Sequence, residues 1–153
     1  MKRLIALMLV LCAVLSLAAC GGEEKKETPV TLDLAAIYAK MEPSLPEMAP
    51  LNEDAMLNRY GIRSEMVSEA LIYVCLDGLK ADEIWLLKAT DSEAMTNLEK
   101  LAQSRMQAKD EESVTYSPEQ NKIVKQGKIL KRGDYLALIV SPDVAALEAI
   151  FNG

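Results

Sequence analysis

The N-terminal segment determines how much of this chain is left to form a globular domain. Residues 1–19 read MKRLIALMLVLCAVLSLAA, and 16 of these 19 residues are apolar. Lys2 and Arg3 precede the apolar stretch Leu4–Leu17. As a helix this stretch would span about 21 Å, whereas the hydrocarbon core of a membrane is about 30 Å thick. It is therefore too short for a spanning anchor, and the pattern is typical of a cleaved secretory signal.

The residues at the end of this segment indicate lipid attachment. Leu17-Ala18-Ala19-Cys20 resembles the lipobox of bacterial lipoproteins, in which a branched apolar residue and two small residues precede a cysteine. The resemblance implies that a diacylglyceryl group is attached to the Cys20 thiol and that cleavage falls between Ala19 and Cys20. It also implies localisation on the outer face of the cytoplasmic membrane, where the lipid holds the secreted chain. The alternative is an ordinary signal peptide followed by a chance cysteine.

Cleavage at this point would divide the chain into three parts. We predict a signal peptide over residues 1–19, a flexible tether over residues 20–30 and one α+β domain over residues 31–153. The mature chain would have 134 residues with 15 basic and 23 acidic side chains, a formal charge of −8. Cys12 would leave with the signal and Cys20 would be acylated, so that no intrachain disulfide could form. We therefore expect the domain to be stabilised by its apolar core alone.

The composition excludes several classes of function. The chain is 50% hydrophobic and 26% charged, which is typical of a globular protein, and it contains no histidine. Without histidine it cannot use Ser-His-Asp or Cys-His catalysis or an HExxH zinc site. Its net charge of −6 argues against nucleic acid as a partner. We predict neither a cofactor nor a metal site.

Helix signals recur along the mature chain. Apolar periodicity and caps predict four helices. They are Asp33–Glu42, capped by Thr31 or Asp33, then Asn52–Gly61, one beginning at a capping box of Thr90 and Glu93, and a last one capped by Ser141. Between the first two, Pro43, Pro46 and Pro50 predict an extended arm. We expect Asp110–Tyr116 to be an acidic loop, and Pro118–Gln126 could form a further short helix.

Strand signals complete the fold prediction. Ala70–Leu76 and Ile84–Ala89 are apolar at successive positions, which favours central strands. Ile129-Leu130 and Tyr135–Val140 predict a hairpin that turns around Lys131–Asp134. The predicted order is ααββαββα, and the predicted class is α+β, with helices packed on one face of a mostly antiparallel sheet of about four strands.

Candidate catalytic residues are scarce. Cys75 lies in the middle of a predicted strand, where a thiol is usually a small buried apolar group, and no histidine could activate it. The glycines do not fit a phosphate-binding loop, no Ser-x-x-Lys pattern occurs, and no EF-hand spacing is present. Carboxylates are plentiful, but a catalytic pair cannot be selected from sequence. We therefore assign no catalytic residue.

A run of basic residues opposes the charge of the domain. No acidic residue occurs between Glu119 and Asp134, and this interval contains five cationic side chains: Lys122, Lys125, Lys128, Lys131 and Arg132. One interpretation is a solvated protein face. The other is a surface-binding patch for anionic lipid or acidic cell-wall polymer, to which each cation near a membrane would contribute about 1 kcal/mol.

Several short motifs carry a resemblance to a known family. In chain order they are Asp33-Leu34, Tyr60-Gly61, Asp82-Glu83-Ile84, Tyr116-Ser117-Pro118-Glu119-Gln120, and Gly133-Asp134-Tyr135 leading into Val140-Ser141. With the lipobox before them, the chain resembles the small Firmicutes lipoproteins that carry domain of unknown function 4358, over about residues 31–151. The resemblance implies a Gram-positive, membrane-tethered protein of unassigned role and brings no catalytic residue.

These observations favour a lipid-anchored, non-enzymatic binding or accessory domain at the cell surface. Its partners would be the membrane, through the lipid on Cys20, and a protein not identifiable from sequence. The alternative is a carboxylate-dependent hydrolase that acts on cell-wall polymer. A pair of acids facing into one deep cleft would favour the hydrolase, and a shallow groove would favour binding.

Replacing Cys20 with Ala should abolish lipid attachment and leave an uncleaved precursor, because the thiol is the acyl acceptor. The measurement is metabolic labelling with a fatty acid, followed by the apparent mass of the labelled protein. Cys12→Ala is the matched control, since Cys12 lies in the segment that cleavage removes, and it should label normally. A Cys20→Ala protein that still incorporates label and matures would contradict the assignment.

Overall fold

A five-stranded antiparallel sheet organises the protein. The computed structural model describes residues 30–153, and the strands follow the order β1-β2-β3-β5-β4. The strands are β1 Met48–Pro50, β2 Val67–Cys75, β3 Glu83–Ala89, β4 Lys128–Arg132 and β5 Tyr135–Val140. The helices are α1 Leu34–Met41, α2 Glu53–Tyr60, α3 Ser92–Tyr116, α4 Pro118–Gln126 and α5 Val144–Asn152, with 3-10 turns at Glu42–Ser44 and Ser64–Met66. The α+β class is confirmed, with five strands instead of about four.

The helices cover both faces of the sheet, so the prediction of a single covered face is wrong. On one face, α2, α3 and α4 pack against residues such as Trp85 and Leu138. On the other face, α1 and α5 pack against residues such as Ile84 and Ile139. The reason is the burial of the central strands: all six residues of β5 and six of the seven in β3 are buried. Strands that are apolar on both sides need a helical layer on each.

The predicted helix ends are confirmed where a polar cap and a glycine define them. The side chains of Asp33 and Asn52 each accept a hydrogen bond of 2.9 Å from the backbone three residues later. Gly61 ends α2 with a φ of 72°, a left-handed conformation that favours glycine.

Two predicted caps are displaced. Asp91, and not Thr90, caps α3, because the Thr90 hydroxyl donates instead to the carbonyl of Glu65 at 3.0 Å. The last helix begins at Val144, three residues after the predicted cap Ser141.

The predicted acidic loop Asp110–Tyr116 is wrong, because α3 continues as helix through Tyr116. The buried side of this part of the helix is polar, with Lys109 8% exposed and Ser113 2% exposed. It is held by polar contacts, among them the Asn121 amide, which donates to Ser113 Oγ at 3.0 Å and to Asp110 Oδ1 at 2.6 Å. A search for apolar periodicity cannot detect such a face.

The proline-rich segment forms an edge strand instead of a polyproline arm. Pro43 lies in a 3-10 turn, and β1 pairs with β2 only at Tyr73–Cys75. Pro50 is tolerated because an edge strand does not need every backbone donor. The predicted apolar contacts are present, since Leu45, Met48 and Leu51 pack on the two cores. The short pairing leaves most of β2 without a neighbour on this side.

The described chain begins beside the turn between β4 and β5. Gly133 has a φ of 57°, which fits the tight predicted hairpin. A Cβ placed on Gly133 would lie only 3.4 Å from the Cβ of Val30. The chain therefore enters the sheet region at the end that holds this turn. The start of β2 lies at the same end, because Val67 pairs with Ala89 at the end of β3.

Candidate functional site

A buried ion cluster lies at the start of β3. Glu83 is 1% exposed, and its carboxylate accepts hydrogen bonds from Arg105 Nη2 at 2.8 Å and Lys109 Nζ at 2.9 Å. Trp85 Nε1 donates to Glu83 Oε1 at 2.8 Å. Arg105 and Lys109 are one helical turn apart on α3, so both reach the same carboxylate. The cluster fixes α3 to the centre of the sheet.

The protonation state of Glu83 follows from these contacts. Burial alone would raise its pKa, but the hydrogen bonds from Arg105 and the charge of Lys109 outweigh burial and leave the pKa below its usual value. Tyr60 lies against Trp85 with ring centroids 4.7 Å apart, and burial together with the charge of Glu83 raises the pKa of Tyr60. Glu83 is therefore a permanent anion whose acceptor positions are occupied, and such a group is a poor general acid or base.

Asp82 differs from its neighbour in environment. It is 5% exposed, and its Oδ1 has no hydrogen-bond partner among residues 30–153. Burial raises the pKa of Asp82, while the Ser141 hydroxyl and Lys80 oppose the rise. Ala81, on the other side of Asp82 from Glu83, belongs to the core that packs under α3. Because successive side chains along an extended chain alternate between faces, Asp82 and Glu83 point to opposite faces of the sheet.

This arrangement bears on the hydrolase interpretation. A polar pocket of about 190 Å³ adjoins the ion cluster and is lined by Lys80, Arg105 and Lys109 among others. Two-carboxylate hydrolysis needs two acids that flank one bond in one cleft. Asp82 and Glu83 both border this pocket, but they do not form such a pair, because the Glu83 carboxylate is occupied by Arg105, Lys109 and Trp85. The geometry supplies no catalytic pair here.

A second cavity lies along the open side of β2. It has a volume of about 270 Å³ and runs between α2 and the first half of β2. We call it the β2 groove; its lining residues are Glu53, Asp54, Met56, Leu57, Ile62, Arg63, Ser64, Val67, Ser68, Glu69 and Ala70. The inner side is apolar, with Met56 and Ile62 buried, while Leu57 on α2 is 47% exposed. Leu57 therefore adds exposed apolar surface to the buried apolar side of the groove.

The rim of the β2 groove is acidic. Glu53, Asp54 and Glu69 are all exposed and carry three negative charges. The one cation in the lining, Arg63, pairs with Glu65 at 2.6 Å, which offsets its charge. Glu53 and Asp54 also stabilise the start of α2, so the same side chains serve the helix and charge the groove. The groove has the chemistry to accept a cationic ligand with apolar parts.

The main chain beside this groove is unpaired. β1 pairs with β2 only from Tyr73 to Cys75, and Leu51 N adds a bond to the carbonyl of Ile72 at 2.8 Å. Within the described part of the chain, no strand pairs with Val67–Leu71 on that side. An unpaired strand edge next to a groove can accept hydrogen bonds from an added strand as well as donate to it.

The basic run of the sequence is divided between α4 and the edge strand β4. The side chain of Lys128 pairs with Glu148 on α5, on one sheet face, while Lys131 pairs with Glu99 on α3, on the other face, at 2.6 Å. These residues therefore do not share one surface.

The remaining members of the run also have their own surroundings. Arg132 Nη1 donates to the carbonyl of Phe151 at 3.1 Å, and Lys125 lies 3.9 Å from Asp110. Lys122 is exposed on α4. Binding of anionic lipid or wall polymer by the basic run stays a prediction. Fewer of its positive charges are uncompensated than the sequence indicates, because several pair with acidic side chains.

The cysteines singled out in the sequence have different outcomes. Cys75 lies on β2 as predicted, but it is half-buried at the polar pocket and not enclosed in the core. Cys20 lies outside the described residues, together with Ala19 and the tether before Val30. The predicted lipid attachment therefore stays a prediction.

Among residues 30–153, no group of three or more His, Cys, Asp or Glu side chains could hold a metal ion. Within the same range, no helix is long and apolar enough to cross a membrane.

Comparison with protein families gives one match. The model of the domain of unknown function DUF4358 matches residues 41–141, more than half of the chain. The chain belongs to the DUF4358 family. No curated protein and no solved structure matches the chain significantly. The matched DUF4358 range begins at the end of α1 and ends at Ser141, so it contains the whole sheet, the β2 groove and the ion cluster.

Sequence reasoning does not identify the residues of these two sites. A charged Glu83 two positions before the buried Trp85 is the one local signal of an ion cluster in this DUF4358 chain. Its partners Arg105 and Lys109 are 22 and 26 residues away, and nothing in their own segment indicates burial. Glu53 and Asp54 are recognisable as helix-start residues, but the groove beside them depends on tertiary structure.

Replacing Arg105 with Met should destabilise the protein by about 3–5 kcal/mol, because it removes one of two cations that neutralise a buried carboxylate. Arg63→Met is the matched control: Arg63 pairs with Glu65 on the surface, and its loss should leave the free energy of unfolding nearly unchanged. The measurement is urea unfolding of both variants at neutral pH. An equally small decrease in the free energy of unfolding for both variants would show that the ion cluster does not stabilise the fold.

Replacing Asp82 with Asn should raise the free energy of unfolding at neutral pH. The folded pKa of Asp82 is raised, so the wild-type protein loses stability as the pH increases from the unfolded pKa, about 3.9, through the folded value. Asn cannot ionise, so the advantage of the variant should disappear at pH 3. Urea unfolding at pH 3, 5 and 7 tests this, and an Asn variant that is less stable at pH 7 would contradict it.

Proposed function

We propose that this DUF4358 protein is a lipid-anchored, non-enzymatic domain that binds a cationic, extended segment of a protein partner in the β2 groove. Cys20 would hold the lipid, and the domain would act on the outer face of the cytoplasmic membrane. The observation that carries the proposal is the unpaired stretch Val67–Leu71 beside a groove with an apolar floor and an acidic rim. The Glu83 carboxylate is held by Arg105 and Lys109 and is not free to act as a second catalytic acid beside Asp82, which favours binding over hydrolysis.

The chemistry of the groove selects among partners. Glu53, Asp54 and Glu69 would repel anionic lipid headgroups and acidic polymers, and they attract Lys or Arg side chains. Leu57 and Met56 supply apolar surface that a purely polar ligand would leave exposed to water. A protein segment with alternating cationic and apolar residues satisfies both requirements.

The test uses the full-length protein purified from membranes in detergent and two fluorescent octapeptides, one alternating Lys with Val and the other alternating Glu with Val. The Lys-Val peptide should bind at least about tenfold more tightly, and its affinity should fall as salt is raised, because the attraction is between exposed charges. Fluorescence anisotropy measures both. Failure of the Lys-Val peptide to bind at low salt would overturn the proposed function.

A matched pair of variants shows whether the groove is responsible. The triple variant Glu53→Gln, Asp54→Asn, Glu69→Gln removes three charges from the groove rim and should weaken Lys-Val binding about tenfold. The control variant Glu93→Gln, Glu111→Gln, Glu119→Gln removes three exposed charges elsewhere, two of them also from first helical turns. It should change the affinity by less than about twofold. Equal weakening by both variants would mean that the peptide responds only to net charge.

A further inference from the structure

The direction of the backbone groups along β2 defines how a ligand could bind in the β2 groove. The carbonyl of Ile72 accepts from Leu51 on the β1 side, whereas Cys75 N donates to Asp82 O on the β3 side at 3.2 Å. Successive residues of a strand direct their N–H and C=O to alternate sides. Ala70 therefore has the same direction as Ile72, towards the open side, where β1 has already ended.

This geometry points to strand addition: we propose that the partner segment binds as a sixth, antiparallel strand along Glu69–Leu71, with one of its residues exchanging both hydrogen bonds with Ala70. The register of β2 is irregular between Val67 and Glu69, so regular pairing begins at Glu69. The inference rests on the proposed function and specifies its binding mode. An antiparallel direction agrees with every strand pair of this sheet. Main-chain pairing would supply affinity, and the groove would supply specificity.

Strand addition fixes which partner side chains face which surface. In an antiparallel pair, directly opposite residues place their side chains on the same face. The residue opposite Ala70 would therefore share the face of Ala70, which packs with the core under α2, and would contact the apolar floor at Met56 and Leu57. Its two neighbours would lie on the face of Glu69. The preferred segment has an apolar residue opposite Ala70 and Lys or Arg on either side of it. These cations would lie on the face of Glu69, whereas Glu53 and Asp54 on α2, which packs on the other face, would attract them at longer range.

Charge argues against a second copy of this chain as the occupant. Pairing two β2 edges would bring Glu69 of one copy and the acidic rim of the other into one interface. Like charges that face each other across paired strands are destabilising. A cationic segment has the opposite effect, because it neutralises the rim.

The opposite edge of the sheet differs in a way that supports this choice. β4 carries Lys128, Lys131 and Arg132, and charged residues on an edge strand are a common protection against unwanted pairing. Two of these side chains also pair with acids on α3 and α5. The open stretch of β2 carries Glu69 as its one charge, and beyond the irregularity between Val67 and Glu69 it continues as regular strand, so that Glu69–Leu71 remains available to a segment of opposite charge.

N-methyl groups on the Lys-Val octapeptide test strand addition. N-methylation removes a backbone donor and blocks approach on that side. Methylating the Val residues should weaken binding by about tenfold or more, because the proposed register directs their N–H groups at β2. Methylating the Lys residues should change binding by less than about threefold, because their N–H groups face away. Binding that is insensitive to both sets, or sensitive at Lys instead of Val, would overturn strand addition and leave the proposed function intact.

A variant of the protein provides the reciprocal test. Ala70→Pro removes the outward N–H without removing a bond to β3, so the full-length variant should keep its melting temperature within a few degrees and lose binding of the Lys-Val peptide. A folded Ala70→Pro protein with unchanged affinity would contradict the proposal. If the variant does not fold, the methylated peptides on the wild-type protein decide the question. If the wild-type protein self-associates and the Ala70→Pro variant does not, the occupant of the β2 edge is a second copy of this chain and the proposal is overturned.

Discussion

The burial of β3 and β5 on both faces is the constraint on which the rest of the structure depends. Apolar side chains above and below these strands require two helical layers, and α1 with α5 supplies one while α2, α3 and α4 supply the other. Glu83 interrupts this apolar centre at the start of β3. A carboxylate in that position is tolerable only because Arg105 and Lys109 neutralise it, and the same contacts fix the register of α3 on the sheet.

A sheet with a fully covered centre can expose backbone only at its edges, and the two edges here have different chemistry. β4 is bordered by basic side chains that bond to helices on both faces. β1 is only three residues long and leaves the first half of β2 unpaired. The short edge strand is itself a result of sequence, since Pro46 lies two residues before it and Pro50 is its last residue. Local proline positions thus determine where main-chain pairing remains available.

The sequence predicts the parts of the fold that depend on local signals, and it fails where distant residues decide. Asn52 and Gly61 define α2 because a cap and a terminator act within one helical turn. The apolar strands indicate the α+β class. The prediction that helices cover only one face of the sheet is wrong, and the same apolar pattern in β3 and β5 already implies that both faces are covered. The C-terminal half of α3 is not predicted as a helix because its buried side is polar. The β2 groove is not predictable, since it depends on where β1 stops relative to α2.

The two sites lie at opposite ends of the sheet, and this matters for the proposed anchoring. Val30 contacts Gly133 at the β4–β5 turn, and Val67 pairs with Ala89 at the same end, whereas the polar pocket adjoins the β2–β3 loop at the other. A tether of about ten residues averages about 17 Å, so on our proposal the β2 groove would lie near the membrane. Anionic lipids concentrate cationic segments at that surface. The acidic rim would then compete with the lipid for cationic segments at the membrane surface. The apolar floor and the unpaired main chain at Ala70 would distinguish a specific partner from other cationic segments.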